Sequence, residues 1–219
     1  MGPSLESIIA QAVQTPPLRR RRAHGTLRSV YHVDAFVVKE FDIPVGEHFY
    51  RRPWGTEAAA LRRMGGDYPG AVLGVVESFG EDAHKVFLVK RFIEGEPLRM
   101  IDEAGAPDVA RTLLDIHARG IIMDDAHADN FLRAPSGRVY CIDFGRAMVF
   151  GVSPAPALAV GRELAKLYRE GFACDRHAIQ PFLDSYFEGA QASWARRAAI
   201  AFGGRTTLFL RRLRKGRVK

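Results

Sequence analysis

Two short runs decide how this sequence is read: Asp125-Ala126-His127-Ala128-Asp129-Asn130, and Cys141-Ile142-Asp143-Phe144-Gly145 beyond a Ser136-Gly137 turn. The first has the form D-x-H-x-x-N and follows a helix-forming stretch, PDVARTLLDIHARG, that stops at Gly120. The second places D-F-G at the end of a short apolar strand, VYCIDF. Asp125 precedes Asn130 by five positions and Asp143 by eighteen. A D-F-G alone is weak, because any acidic turn can take that form. A D-x4-N loop at this distance ahead of it, with a strand between, is specific. The residue types suit phosphoryl transfer from ATP. That chemistry needs a group to orient the acceptor hydroxyl and take its proton, metal ions to neutralise the polyphosphate, and a cation for the α- and β-phosphates.

Upstream of the loop, Lys39 interrupts the apolar strand FVVKEF. A lysine there is costly unless paired. Glu57, eighteen residues on and inside the helix-forming run GTEAAALRRM, is a fitting partner. Taken alone, Lys39 could equally face solvent from an edge strand, with Glu57 decorating its helix; its place ahead of the loop favours pairing. A full G-x-G-x-x-G is absent. Only Gly25-Thr26-Leu27-Arg28-Ser29 precedes the second strand, so backbone amides near Gly25 and Thr26, with the Thr26 or Ser29 hydroxyl, are left to cover phosphates. His127 differs from the other histidines, which show no metal-ligand spacing, in sitting between Asp125 and Asn130.

The remaining patterns organise the chain as α+β. Residues 1–22 read as a short helix, a Pro16-Pro17 break and the arginine run Arg19 to Arg22 ahead of the first strand. RSVYHV and AFVVKEF read as a hairpin turning at Asp34, GTEAAALRRM as a helix stopped by Gly65-Gly66, and AVLGVVESF and KVFLVKRF as two more strands joined by GEDAH. Beyond EGEPL the character turns helical: GRELAKLYREGF and AIQPFLDSYFEGA follow the D-F-G, then a basic tail that Gly203-Gly204 is expected to break in two. The expected divisions are an N-terminal extension (1–22), a β-rich lobe (23–92), a helical lobe with the loop and D-F-G (93–188) and the tail (189–219).

Bulk properties narrow the classes. With 219 residues, 47% hydrophobic and 26% charged, the chain suits one compact domain or two small lobes sharing a cleft. Two cysteines, Cys141 and Cys174, make neither a disulfide framework nor a zinc site, and a reducing compartment fits. The N-terminus lacks the basic region of a signal peptide. Glu6 stands where a myristoylation signal wants Ser or Thr. No run approaches a membrane-spanning length. From Gly189 to Lys219 there are nine Lys/Arg and no acid, which leaves 23 basic residues (32 minus 9) against 25 acids in the rest. A body slightly acidic and a tail strongly basic point to a polyanionic partner, or to a solvated face. In the tail, Trp194, Phe202, Leu208, Phe209, Leu210 and Leu213 interleave with those cations. An apolar strip flanked by charge on a helix suits the inner face of an anionic membrane; the alternative is that these side chains pack onto the helical lobe.

The stretch from Gly25 to about Tyr168 resembles the protein-kinase-like superfamily, and within it the lipopolysaccharide core kinases that phosphorylate heptose or Kdo sugars. The resemblance rests on GTLRSVYHVDAFVVKEF, YRRPWGTEAAALRRM and DDAHADNFL with VYCIDFGRA. It implies a two-lobed kinase-like fold and an ATP- and Mg2+-dependent kinase that is cytoplasmic and acts on a sugar or glycolipid hydroxyl. It implies that Lys39 holds the ATP phosphates and pairs with Glu57, that Asp125 is the catalytic base, and that Asn130 and Asp143 bind magnesium. His127 would lie near the γ-phosphate. LVKRFIEGEPL would be the hinge, with backbone groups of Arg91 and Ile93 reading adenine. The chain departs from the superfamily pattern in four places. Met123-Asp124-Asp125 replaces His-Arg-Asp, no Ala-Pro-Glu follows the D-F-G, only RAMVFGVSPAPALAV separates Gly145 from the next helix, and Lys90 aligns with the gatekeeper. The short segment leaves little room for a peptide groove. A minimal atypical protein kinase, such as those of the tRNA-modification complex, is the second reading. A pseudokinase or nucleic-acid-binding scaffold is the third, and the intact Lys39, Asp125, Asn130 and Asp143 set argues against it.

Overall fold

The computed structural model describes residues 2–23, 26–44, 52–79, 83–170, 175–190 and 193–216. The chain is α+β and divides into two compact units, Met1–Ile93 and Glu94–Lys219.

In the first unit, strands β1 (Arg19–Ala23), β2 (Thr26–Val33), β3 (Phe36–Pro44), β4 (Val72–Phe79) and β5 (Ala83–Arg91) form an antiparallel sheet in the order β1-β2-β3-β5-β4. Asp34, at φ 50°, turns β2 into β3; aspartate tolerates this left-handed conformation better than most residues. Helices cover both faces of the sheet, which is why the central strands are apolar at odd and even positions alike. On one face Ile8 and Ala12 of α1 (Leu5–Gln14) pack on Tyr31, Val33, Val38, Phe87 and Val89. On the other, Trp54 and Ala58 of α2 (Pro53–Met64) pack on Phe41, Ile43, Val86 and Leu88. Gly65, at φ 90°, ends α2.

Residues 1–22, expected as an extension, lie within this unit as α1 and β1. The arginine run, expected ahead of the first strand, is itself the outer strand, paired from Arg19↔Val30 to Ala23↔Thr26. An edge strand hydrogen-bonds on one side only, and long arginine stems can lie along the sheet while their heads stay in water. Likewise Ala83 and His84, expected in a turn, belong to β5.

Glu40 is buried on the face that α1 covers. Tyr31 Oη donates to its Oε2 at 2.6 Å, and Lys85 Nζ to its Oε1 at 3.0 Å. Burial, then the bond to Glu40, pushes Tyr31 above its ordinary value. The bond to Glu40 raises Lys85 against an opposing cost of burial. Both groups therefore hold their protons more tightly folded than unfolded. Their contribution is complete below the unfolded values near 10 and is lost as pH rises through the folded ones. The urea midpoint is expected to fall as pH climbs beyond that point, and Tyr31→Phe should flatten the decline. An equally steep decline in the variant would show that Tyr31 is not its source.

In the second unit, β6 (Glu96–Pro97) leads to α3 (Ala106–Ala118) and β7 (Ile121–Ile122). A single 3-10 turn (Ala128–Asn130) and the hairpin β8 (Phe131–Arg133) and β9 (Val139–Cys141) follow, then β10 (Met148–Val149), α4 (Ala157–Glu170), α5 (Ile179–Gly189) and α6 (Trp194–Gly216). β9 is three residues long, shorter than VYCIDF suggested. The order β6-β8-β9 makes one small sheet, and β7 pairs with β10 in another.

The expected break at Gly203-Gly204 does not occur: α6 runs unbroken from Trp194 to Gly216. Each helical glycine costs about 1 kcal/mol relative to alanine. What these glycines permit is contact with α4. A Cβ on Gly161 would lie 2.0 Å from Ile200 O, and one on Gly203 would lie 2.6 Å from Leu158 O. So the first half of α6 belongs to the packing of this unit, with Ile200 buried, while Phe202 stays exposed. Side chains from residue 208 onward, and that of Trp194, lie outside those described, so the expected apolar strip is described only in part. Gly161→Ala is expected to lower stability by about 2 kcal/mol, because an overpacking cost of about 3 kcal/mol against backbone atoms exceeds the helix-propensity gain of about 1 kcal/mol. Urea denaturation of the full chain reads this directly, and a neutral or stabilising result would show that the two helices part without cost.

Candidate active site

Each unit carries its own cluster of candidate residues. In the first unit the cluster is built on the sheet face that α2 covers. Lys39 of β3 stands opposite Leu88 of β5, and Lys90, two residues on, shares that face. Glu57 reaches down from α2 and is 1% exposed. Lys39 Nζ donates to Glu57 Oε1 at 2.9 Å and to Oε2 at 2.7 Å. Lys90 Nζ donates to Oε1 at 2.7 Å. The carboxylate is thereby held between two ammonium groups.

The other expected nucleotide residues of this unit fare differently. Gly25 lies outside the described residues. Thr26 opens β2 fully buried, and its Oγ1 finds no hydrogen-bond partner among the described residues. The backbone N–H of Arg91 donates to Ala71 O at 3.0 Å, on the chain entering β4. Ile93 is half-buried, with its side chain against Gly70.

In the second unit the loop after β7 folds on itself. His127 N–H donates to Asp125 O at 3.0 Å, Asn130 N–H to His127 O at 3.0 Å, and Asn130 Nδ2 to Asp125 O at 2.7 Å. The β8–β9 hairpin then brings the two sequence motifs together: Phe131 pairs with Cys141, and Ile142 N–H donates to Asn130 O at 2.9 Å. Asn130 and Asp143 thus flank one end of a two-stranded ladder. Asp143 is exposed, its Oδ1 accepting from Gly145 N–H at 2.9 Å, while the neighbouring Phe144 is fully buried and anchors the turn. His127 Nε2 lies 3.1 Å from Asp125 Oδ1, and its Nδ1 lies 3.6 Å from Glu170 Oε2.

Five residues of this neighbourhood were not singled out from the sequence. Glu163 of α4, 2% exposed, accepts from Asp124 N–H at 2.9 Å through Oε1 and meets His117 Nε2 at 2.6 Å through Oε2. His117 Nδ1 in turn meets Tyr186 Oη at 2.6 Å. Burial pushes Tyr186 far up, so it keeps its proton. Lys166, three residues after Glu163 and so on the same helix face, donates to Asp124 O at 2.8 Å and also to its carboxylate. These bonds hold Asp124 at φ 54°, a left-handed conformation rare outside glycine, immediately before Asp125. Arg146, directly after the D-F-G, places its guanidinium 3.7 Å from Asp125 Oδ1 and 3.9 Å from Asp124 Oδ2. Opposite charges at i and i+3 of a helix-forming run were the available signal for Glu163 and Lys166. For Lys90 it was the same as for Lys39, a lysine inside an apolar strand.

No protein-family profile matches the sequence, and no curated protein does. Solved structures with similar chain paths include WbdD in a co-crystal with the kinase inhibitor LY294002, at 15% identity and a TM-score of 0.46 over 84% of this chain and 49% of that one. The bifunctional kinase-methyltransferase WbdD is similar at 15% identity and a TM-score of 0.48, over 87% of this chain and 52% of that one. Monomeric WbdD is similar at 18% identity and a TM-score of 0.48, over 80% and 44%. The chain spans about half the length of these structures. Likeness at this level transfers no activity, which has to be argued from the site.

The donor chemistry suits a hard divalent cation. Asp143 offers carboxylate oxygen and Asn130 an amide oxygen, and magnesium is commonly held by one or two carboxylates together with substrate phosphates and water. Among the described residues no group of three or more His, Cys, Asp or Glu is gathered as a metal cage.

Proposed function

We propose that the chain is a kinase-like phosphotransferase that moves the γ-phosphate of ATP to a hydroxyl, with a lipopolysaccharide core sugar, heptose or Kdo, as the acceptor. The observation that carries this reading is the juxtaposition of Asn130 and Asp143 across the β8–β9 ladder, with Asp125 bonded into the same loop. Asp125 orients the acceptor hydroxyl and takes its proton. Asn130 and Asp143 hold magnesium against the phosphates, and His127 lies near the γ-phosphate. Lys39, fixed by Glu57, supplies the cation for the α- and β-phosphates. Backbone groups of Ile93 and the carbonyl of Arg91 remain candidates for recognition of adenine, and Gly25 and Thr26 for the phosphate cover. The sugar acceptor is favoured by the short stretch between Gly145 and α4, which leaves little room for a peptide groove. An assay of phosphate transfer from labelled ATP to delipidated core sugar, a generic protein and tRNA tests it. Label on the sugar is expected; label only on protein would favour a minimal protein kinase, and none on any acceptor would oppose the enzyme reading.

We further propose that the second half of α6 brings the protein to an anionic membrane surface. No helix among the described residues is long and apolar enough to cross a membrane. Arg211, Arg212, Arg214 and Lys215 fall in the last part of the α6 sequence, and each cation near such a surface contributes on the order of 1 kcal/mol. Because Ile200 and Gly203 are packed, substitution of the four cations by serine is a cleaner probe than truncation. Equal co-sedimentation of both forms with anionic vesicles would remove this part of the proposal.

A further inference from the structure

Two ammonium groups on one buried carboxylate is more than an ion pair needs. Glu57 already receives two hydrogen bonds from Lys39. Lys90 adds a third, on an oxygen that Lys39 also uses. Lys90 is 6% exposed, on a strand whose neighbours Val89 and Leu88 are fully buried. Taking an ammonium out of water is expensive, and an apolar side chain of similar length would serve packing as well or better. The presence of lysine at this place therefore asks for a role besides stability.

We propose that Lys90 is a positioning residue for polyphosphate binding, a second cation that clamps Glu57 and adds one positive charge to the Lys39–Glu57 pair. This rests on the phosphotransferase reading above. With Lys39 alone, the carboxylate would cancel the ammonium it orients, and the pair would present little net charge. With Lys90 on the same carboxylate, the three groups together carry one net positive charge. Glu57 also keeps a partner when Lys39 turns one of its N–H donors towards a phosphate. The arrangement holds the α2 carboxylate in place without a separate activating event, which agrees with a chain that has only a short segment after its D-F-G. The ligand class selected is an anionic polyphosphate, not the nucleoside it carries.

The test uses the full chain and two binding probes, ATP and uncharged adenosine, measured by calorimetry without acceptor or turnover. Lys90→Met is expected to weaken ATP by roughly tenfold to a hundredfold, the range for one unit charge about 6–12 Å away at an effective dielectric of about 20. Adenosine binding should be unchanged. Lys90→Gln, which keeps a hydrogen-bond donor for Glu57 without the charge, should lose ATP affinity as Lys90→Met does, and it stands in if the methionine variant fails to fold. Lys90→Arg should restore most of the loss. Wild-type ATP affinity in either neutral variant overturns the role of Lys90 while leaving the nucleotide site in place. Parallel losses for ATP and adenosine overturn it too, as the sign of a damaged pocket. A wild-type chain that binds neither probe removes the phosphotransferase reading itself.

Discussion

Asp143→Asn is expected to abolish magnesium-dependent phosphate transfer while leaving the fold as it is. The side chain is exposed, so little packing is at stake, and surface substitutions of this kind usually fall within about 0.5 kcal/mol. Its Oδ1 accepts from Gly145 N–H at 2.9 Å, and an amide oxygen keeps that bond, so the turn that buries Phe144 survives. What the change removes is negative charge. Neutralising a polyphosphate through a metal depends on that charge, and even outer partners of metal ligands are worth about 10–100-fold. A loss of at least about a hundredfold in turnover is therefore expected, with the melting temperature close to wild type. Turnover near normal in the purified variant would show that Asp143 does not face the metal.

Glu163→Ala should produce the largest loss of stability, and a loss of activity with it. The carboxylate is buried, its two oxygens divided between His117 Nε2 and Asp124 N–H. Truncation leaves a ring nitrogen and a backbone donor without their acceptor in the interior. Breaking a buried pair by removing one partner costs about 3–5 kcal/mol, a fall of roughly 10 °C in melting temperature for a chain of this size. The same truncation releases Asp124 from a strained backbone conformation one residue before Asp125. A displacement of about 1 Å in a reacting group costs about a hundredfold in rate. Glu163→Gln retains one acceptor and should fall between the two forms in both measurements. If Glu163→Ala melts within about 2 °C of wild type, the interior network is not what holds the loop.

Local signals in the sequence account for much of the first unit. The Asp34 turn and the Gly65 stop are single-residue decisions about backbone conformation, and such decisions show in the residue itself. The Lys39–Glu57 contact at 2.7 Å was legible because a buried cation narrows the choice of partner so sharply. The order of D-x4-N and D-F-G was legible for another reason: a three-residue strand pair is short enough that spacing alone sets proximity. Other features depended on what lay across from them. Four arginines read as a run ahead of the first strand until β2 is seen alongside to pair with them. Gly203 and Gly204 read as a break until α4 is seen to press on them. Glu163 read as one more helical charge, because its partners His117, Asp124 and Tyr186 are scattered across 70 residues, from position 117 to position 186, and nothing local marks them. The bond from Arg91 N–H to Ala71 O is illegible for the same reason, since Ala71 lies 20 positions away.

The arginine strand at the sheet margin bears on how copies of this protein meet in solution. A free strand edge invites another copy to dock along it and extend the sheet, a first step in aggregation. On β1 such a neighbour would bring its own arginines against Arg19, Arg20 and Arg21, which are exposed. Mutual repulsion along the whole strand opposes that growth at low ionic strength, so crowding by itself does not zip one sheet onto the next. The protection is electrostatic and therefore conditional. Concentrated salt, which shortens the reach of charge to about 3 Å at 1 M, is the condition under which this margin loses its guard.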